Sequence, residues 1–180
     1  MTGTPRDRKW LEELFRREHP KVLAYARRRT FDEADDVVAE VFLTAWKNRH
    51  RIPEPELPWL LRAASNHVLH ARRAEARRAR LVDRVELRPD VVSDPAQHIA
   101  DADSAHEAIR KALTRLAPRD AELMRLLAWE ELSLVEAAYV LGCTPVAARV
   151  RLHRARRRLR EELHTREHAV TPTLDCEATA

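Results

Sequence analysis

SLVEAAYVLGCTPVAARVRLHRARRRLREEL, Ser133 to Leu163, reads as two helices and the turn between them. Ser133 with Glu136 is a capping box, in which each residue satisfies an orphan donor of the first helical turn. Gly142 supplies the left-handed residue that follows the short helix. Thr144 caps the next helix and Pro145 takes its first position, where a missing N–H is no loss. The result is helix, tight turn, helix, in about 30 residues. On the second helix Ala148, Leu152, Ala155 and Leu159 share one face, and Arg149, His153, Arg156 and Arg160 lie opposite. A helix cradled by its predecessor, with arginines outward, fits the major groove of DNA. There Arg can donate two parallel hydrogen bonds to guanine, worth about 1–3 kcal/mol of discrimination.

Composition around this stretch agrees with that reading. The chain has 180 residues, 33 Lys+Arg against 29 Asp+Glu, and a net charge of +4. Only four of the cations are Lys, and the arginines cluster. Arg62 to Arg80 holds six Arg against one Glu, and Arg149 to Arg160 holds seven Arg and no acid. Two basic blocks point to nucleic acid more than to membrane. Two glycines, Gly3 and Gly142, exclude glycine-rich phosphate loops and dinucleotide folds, and argue against a sheet-rich fold. Two cysteines, Cys143 and Cys176, are too few for a disulfide framework or a four-thiolate zinc site. No apolar run approaches the roughly 18 residues of a membrane span, and no secretory segment opens the chain. A soluble, cytoplasmic, all-α protein without membrane insertion is expected.

Proline and periodicity divide the chain. A first helical domain is expected over 7–81, a flexible linker over 82–104, a second domain over 105–164, and a disordered tail over 165–180. In the first domain, Trp10, Leu11, Leu14 and Phe15 begin an apolar stripe interrupted at Pro20 and resumed by Val22, Leu23 and Ala26. The helix from Asp32 to about Asn48 carries Ala34, Val37, Val38, Val41, Phe42 and Ala45 in the i, i+3, i+4, i+7 rhythm. Asp32, Glu33, Asp35 and Asp36 crowd its first turn, where the helix dipole favours negative charge. His50 to Leu57, with Pro53 and Pro55, must be a loop. A third helix opens at Pro58, buries Leu60, Leu61, Ala64 and Val68, and runs into the first arginine block. In the second domain, Ile109, Leu113 and Leu116 mark a helix ended before Pro118, and Leu123, Leu126 and Leu127 mark another.

Three segments in this order resemble the extracytoplasmic-function (ECF) sigma factors of the sigma-70 family, the promoter-recognition subunits of bacterial RNA polymerase. DEADDVVAEVFLTAWKN is similar to region 2.2, PWLLRAASNHVLHARRAEARR to regions 2.3 to 2.4, and ELSLVEAAYVLGCTPVAARVRLHRARRRLR to region 4.2. The resemblance implies a two-domain helical fold whose second domain holds a helix-turn-helix. It also implies that Asp35, Asp36, Glu40 and Phe42 bind the β′ clamp helices of core RNA polymerase, with the β subunit a further contact. By the same resemblance His50, Arg51 and Ile52 of the loop, with Arg62 and Asn66 of the third helix, engage and help to melt the −10 promoter element. Thr144, Arg149, Val150, His153 and Arg154 match positions that meet the −35 element. Two departures stand out: Ala39 where the family often carries Gln, and Val146-Ala147 in place of a frequent Gly-Thr pair. Relatives are commonly held by an anti-sigma factor, which nothing in this sequence identifies.

Other readings are weaker. Asp32-Glu33-Ala34-Asp35 spells a helicase box, but the phosphate loop such an enzyme needs is missing. His67 with His70, and His164 with His168, have ligand-like spacing without an evident third ligand. No serine stands in a catalytic context. No cofactor and no catalytic activity are expected. A free-standing helix-turn-helix regulator explains the second domain equally well, but leaves the acidic second helix and basic third helix without a task. A helical interaction protein binding an acidic partner is the remaining class.

Overall fold

The computed structural model describes residues 6–30, 33–82, 109 and 111–169. Every regular element among them is helical: α1 (Arg8–Arg27), α2 (Ala34–Asn48), a single 3-10 turn (Arg49–Arg51), α3 (Leu57–Val82), α4 (Pro118–Ala128), α5 (Leu134–Leu141) and α6 (Pro145–Ala169). Helical backbone at 109 and 111–114 precedes α4.

Helices α1, α2 and α3 pack on one another. The periodic apolar positions explain why: Leu14, Val22 and Tyr25 of α1, Val37, Val38 and Val41 of α2, and Leu60, Leu61 and Ala64 of α3 are all buried. Asp7 caps α1 by accepting the Trp10 N–H at 3.0 Å. The expected interruption at Pro20 does not occur, and α1 runs through it. Pro20 is exposed and removes only one backbone bond, while Leu14 on one side and Val22, Tyr25 and Ala26 on the other stay fully packed.

In the second half, α5 lies between α4 and α6. Leu123 and Leu126 of α4, Ala137 and Ala138 of α5, and Ala148 of α6 are all but inaccessible to solvent. Leu113 and Leu116 join Ala121 and Ala155 in a smaller cluster. The two helical groups are expected units, yet they share one core. Buried residues of α1 to α3 and of α4 to α6 form a single cluster, with α3 packed against α5.

The expected linker lies outside the described residues apart from Val82, the last residue of α3, as does the tail beyond residue 169. The boundary at 165 is corrected, because α6 continues to Ala169. Thr165 to Ala169 has no apolar period, but none of these residues breaks a helix, and the first breaker is Pro172.

Candidate nucleic-acid interface

The turn between α5 and α6 is closed by the residues expected to close it. The Ser133 hydroxyl accepts the Glu136 N–H at 3.3 Å, and the Glu136 carboxylate accepts the Ser133 N–H at 2.8 Å. Gly142 has φ of 64°. Its left-handed turn brings the Cys143 N–H to the Ala138 carbonyl at 3.0 Å. The Thr144 hydroxyl then caps α6 by accepting the Ala147 N–H at 3.1 Å. Its own hydroxyl hydrogen remains available to a phosphate at this helix N-terminus.

Buried Ala148 and Ala155 let α6 lie close on its support, which turns the long side chains outward. Arg149, Val150, His153 and Arg154 are all exposed, as are Arg156, Arg158 and Arg160. Of the remaining arginines in this block, Arg151 turns back to Asp120 of α4 at 3.2 Å, and Arg157 faces Glu161 at 3.6 Å. Arg149, Arg154, Arg156, Arg158 and Arg160 make no ion pair among the described residues. Val146, at 73% exposure, adds an apolar spot at the start of the same face.

On α2, Asp35, Asp36 and Glu40 are exposed and make no ion pair among the described residues. Asp36, Ala39, Glu40 and Leu43 follow one another at helical spacing, so the acids border an apolar strip. Ala39 and Leu43 line a groove of about 910 Å³ with Phe15, His19, Phe42 and Trp46. Leu43 and Phe15 stand out into solvent. Phe42, expected as a contact residue, lines this groove. It is 6% exposed, with its ring 4.8 Å from that of Phe15, and serves as a wall of the groove.

The loop before α3 splits its expected set. His50 and Arg51 are exposed, but Ile52 is buried at 3% exposure. Ile52 anchors the loop to the core, and Arg6 secures the backbone by donating to the carbonyls of Arg49 and Ile52. Arg62 and Asn66 are both exposed, one turn apart on α3. They line a cleft of about 430 Å³ enclosed by α1, α3, α4 and α5. The Arg62 guanidinium donates to the Tyr139 carbonyl of α5 at 2.9 Å and lies 5.0 Å over the Tyr139 ring. His67 is 3.3 Å from the Thr44 hydroxyl, and no group of three metal-ligating side chains occurs among the described residues.

One cluster was missed by sequence reasoning. Arg28 and Arg29, at the end of α1, meet Glu122 of α4 and Glu130 just beyond it. Arg29 donates to Glu122 at 3.0 Å and to Glu130 at 3.1 Å, and Arg28 donates to Glu130. The Tyr25 hydroxyl donates to Glu122 at 3.3 Å, and the Arg29 guanidinium lies 3.6 Å over the Tyr25 ring. Arg29 and Glu130 are nearly sealed, with side chains 7% and 4% exposed. Burial pushes the Tyr25 phenol well above its ordinary value, against the opposing pull of Arg29. Burial opposes the charge on Arg29 most strongly, but Tyr25, Glu122 and Glu130 more than offset it, and its pKa is raised. The one sequence signal is the i, i+4 placement of Tyr25 and Arg29; their partners lie some 100 residues away, beyond any local pattern.

Comparison with known proteins is consistent across both halves. Residues 14–78 match sigma-70 region 2, and residues 106–159 match sigma-70 region 4. The chain is 34% identical over 158 residues to RNA polymerase sigma factor CarQ of Myxococcus xanthus, covering 84% of this chain and 88% of that protein. It is 32% identical over 167 residues to the ECF RNA polymerase sigma factor SigD of Mycobacterium tuberculosis, covering 87% and 78%. Among solved structures, the sigma factor RpoE of Bartonella quintana, in complex with the anti-sigma factor NepR, matches with a TM-score of 0.64 and 26% identity. That match covers 87% of this chain and 98% of RpoE.

Proposed function

Because the chain belongs to the sigma-70 family and is an RNA polymerase sigma factor of the ECF type, we propose a division of its surfaces among three tasks. The acidic edge of α2, Asp35, Asp36 and Glu40, docks on the β′ clamp helices of core polymerase, and the groove floored by Phe42 takes an apolar side chain of that partner. The loop residues His50 and Arg51, with Arg62 and Asn66 of α3, hold the opened −10 element. Asn66 has both donor and acceptor for a base edge, and arginine can stack on a base or grip phosphate. The α6 residues Arg149, Val150, His153 and Arg154 read the −35 element in the major groove, with Thr144 on a phosphate.

The observation that carries this reading is the exposure of an acidic edge and an arginine face on separate helices, neither neutralised among the described residues. A free-standing operator-binding regulator would need only the second. The factor works in the cytoplasm, where core polymerase and DNA are, and we assign it no chemistry of its own. Asp120, Glu122 and Glu130 are paired within the molecule, whereas the acids of α2 are exposed. An anti-sigma factor is a natural further partner, as the complex formed by RpoE illustrates.

The test is transcription in vitro with core polymerase on genomic fragments, followed by mapping of start sites. Directed starts are expected from the wild-type chain. Asp36→Arg is expected to lose core binding and transcription while keeping its helicity. Normal transcription by that variant would overturn the docking assignment.

A further inference from the structure

The 3-10 turn Arg49–Arg51 carries His50 and Arg51 into solvent, yet the loop that holds them is tied to the α1 side at both ends. Arg6 stands just before Asp7, the cap of α1, and its guanidinium lies 5.3 Å over the Trp10 ring. Nη1 of Arg6 donates to the Arg49 carbonyl at 2.6 Å and to the Ile52 carbonyl at 2.5 Å. That nitrogen has two hydrogens, one for each carbonyl. Nη2 faces the Glu54 carboxylate at 3.5 Å. At the far end of the loop, Arg17 of α1 donates to Glu56 at 2.9 Å while its Nε holds the buried Glu18 at 2.8 Å. The Glu56 carbonyl accepts the Leu60 N–H, so the residue that Arg17 grips also starts α3. The side chains of His50 and Arg51, by contrast, make no hydrogen bond or ion pair among the described residues.

We infer that Arg6 is a positioning residue for promoter opening: it holds the turn preformed, so that His50 and Arg51 meet the −10 strand without first being ordered. The role depends on the assignment of those two residues to the −10 element. Arg6 binds backbone on either side of them, at residues 49 and 52, so one rigid planar group fixes the chord across both. Its side chain is only 16% exposed, which shields these bonds from competition by water. Hydrogen bonds from a charged donor are roughly twice as strong as neutral ones. Ile52, packed into the core, pins the turn from beneath, and Arg17 secures its exit into α3. A loop already held in its binding shape avoids the ordering cost that a free loop meets on contact. Arg6 acts through the turn and not on DNA itself, because its guanidinium is directed inward onto the carbonyls.

The clamp can be tested apart from the −10 assignment. Amide hydrogen exchange of the full-length chain, read by mass spectrometry on a peptide spanning 48–57, should quicken in Arg6→Gln. Peptides from α5 and α6 should keep their rates. Unchanged exchange in the loop would overturn the clamp. Arg6→Lys, which keeps the charge but loses the forked donor, serves if Arg6→Gln does not fold, and a smaller change is expected from it. Function is read with the holoenzyme on a promoter fragment whose start has been mapped and whose −10 region is premelted by mismatches. If the substitution leaves about one tenth of the turns in the competent shape, affinity for that template should fall about tenfold. Binding to −35 duplex should hold constant. In a background of His50→Ala with Arg51→Ala, Arg6→Gln should add no further loss, since the side chains it positions are gone. An undiminished further loss there would make Arg6 a merely structural residue and overturn the inference, as would faster exchange with wild-type affinity. Should His50→Ala with Arg51→Ala by itself leave template binding unchanged, the −10 assignment fails and the positioning role with it, while the exchange result stands.

Discussion

Two groups of arginines in this molecule have opposite fates. Those on the outer face of α6, Arg149, Arg154, Arg156, Arg158 and Arg160, stand in solvent with no acid against them among the described residues. Arg28 and Arg29 are drawn into the joint between the halves, against Glu122 and Glu130. The residue type is the same, and what differs is the surface beneath it. The α6 arginines project from a helix whose fully buried residues, among those described, are the small Ala148 and Ala155, so their long stems turn outward. Arg29 leaves α1 directly over the Tyr25 ring, 3.6 Å away, and is steered into the protein. A count of basic residues is therefore a poor measure of nucleic-acid affinity until each cation is placed.

The comparison breaks most visibly at Arg29. Arg29→Ala leaves Glu130 with Arg28 alone and takes the Arg29 guanidinium from Glu122, and losing one member of a buried pair costs about 3–5 kcal/mol. Chemical denaturation should read that as a lower midpoint, and a loss below about 1 kcal/mol would show that the joint is better hydrated than its geometry indicates. At Arg149 the expected effect moves from stability to recognition. Arg149→Ala should leave the fold intact and relax the −35 preference by about 1–3 kcal/mol if the side chain grips a base. Competition binding with substituted −35 duplexes separates this from a phosphate contact, for which every sequence would weaken alike.

Alkaline titration sharpens the same contrast from the tyrosine side. Tyr25 is buried beside Glu122 and Ser65, and its phenol is raised above the unfolded value of about 10 despite Arg29. A group raised on folding contributes stability that is complete below its unfolded pKa and fades as pH climbs toward the folded one. The fold should accordingly lose stability above about pH 10, where the unfolded phenol ionises. Absorbance at 295 nm in a Tyr139→Phe background should show Tyr25 ionising late. Adding Arg28→Gln and Glu122→Gln should bring that ionisation earlier. An identical curve in that variant would mean that Tyr25 is sealed by α1 to α3 alone.

What could be read from sequence follows the range of the interaction. Ser133 with Glu136, Gly142 and Thr144 with Pro145 act within four residues of themselves, and each does in the fold what its chemistry requires. The apolar rhythm of α2 was equally legible, because helical spacing puts Val37, Val38 and Val41 on one side whatever they meet. Phe42 and Ile52 were harder. A large apolar residue beside charged ones can be a contact or an anchor, and only burial distinguishes the two. Pro20 misled because a local rule met strong packing on both sides of it. The joint was out of reach: Arg29 and Glu122 are 93 residues apart, with neither periodicity nor spacing to connect them.

The smallest expected effect lies in the later part of the arginine face. Arg156 is exposed, lies beyond the residues assigned to base reading, and pairs with nothing among the described residues. Removing it should change folding stability by no more than about 0.5 kcal/mol, since it holds no part of the core. If it meets a phosphate, Arg156→Ala should weaken duplex binding alike for all sequences and reduce the slope of log affinity against log salt by about 0.9. Binding isotherms across a salt series measure that slope directly. An unchanged slope would confine DNA contact to the first turns of α6, leaving its later arginines to keep the helix in solvent. A change confined to particular −35 sequences would instead extend base reading beyond Arg154.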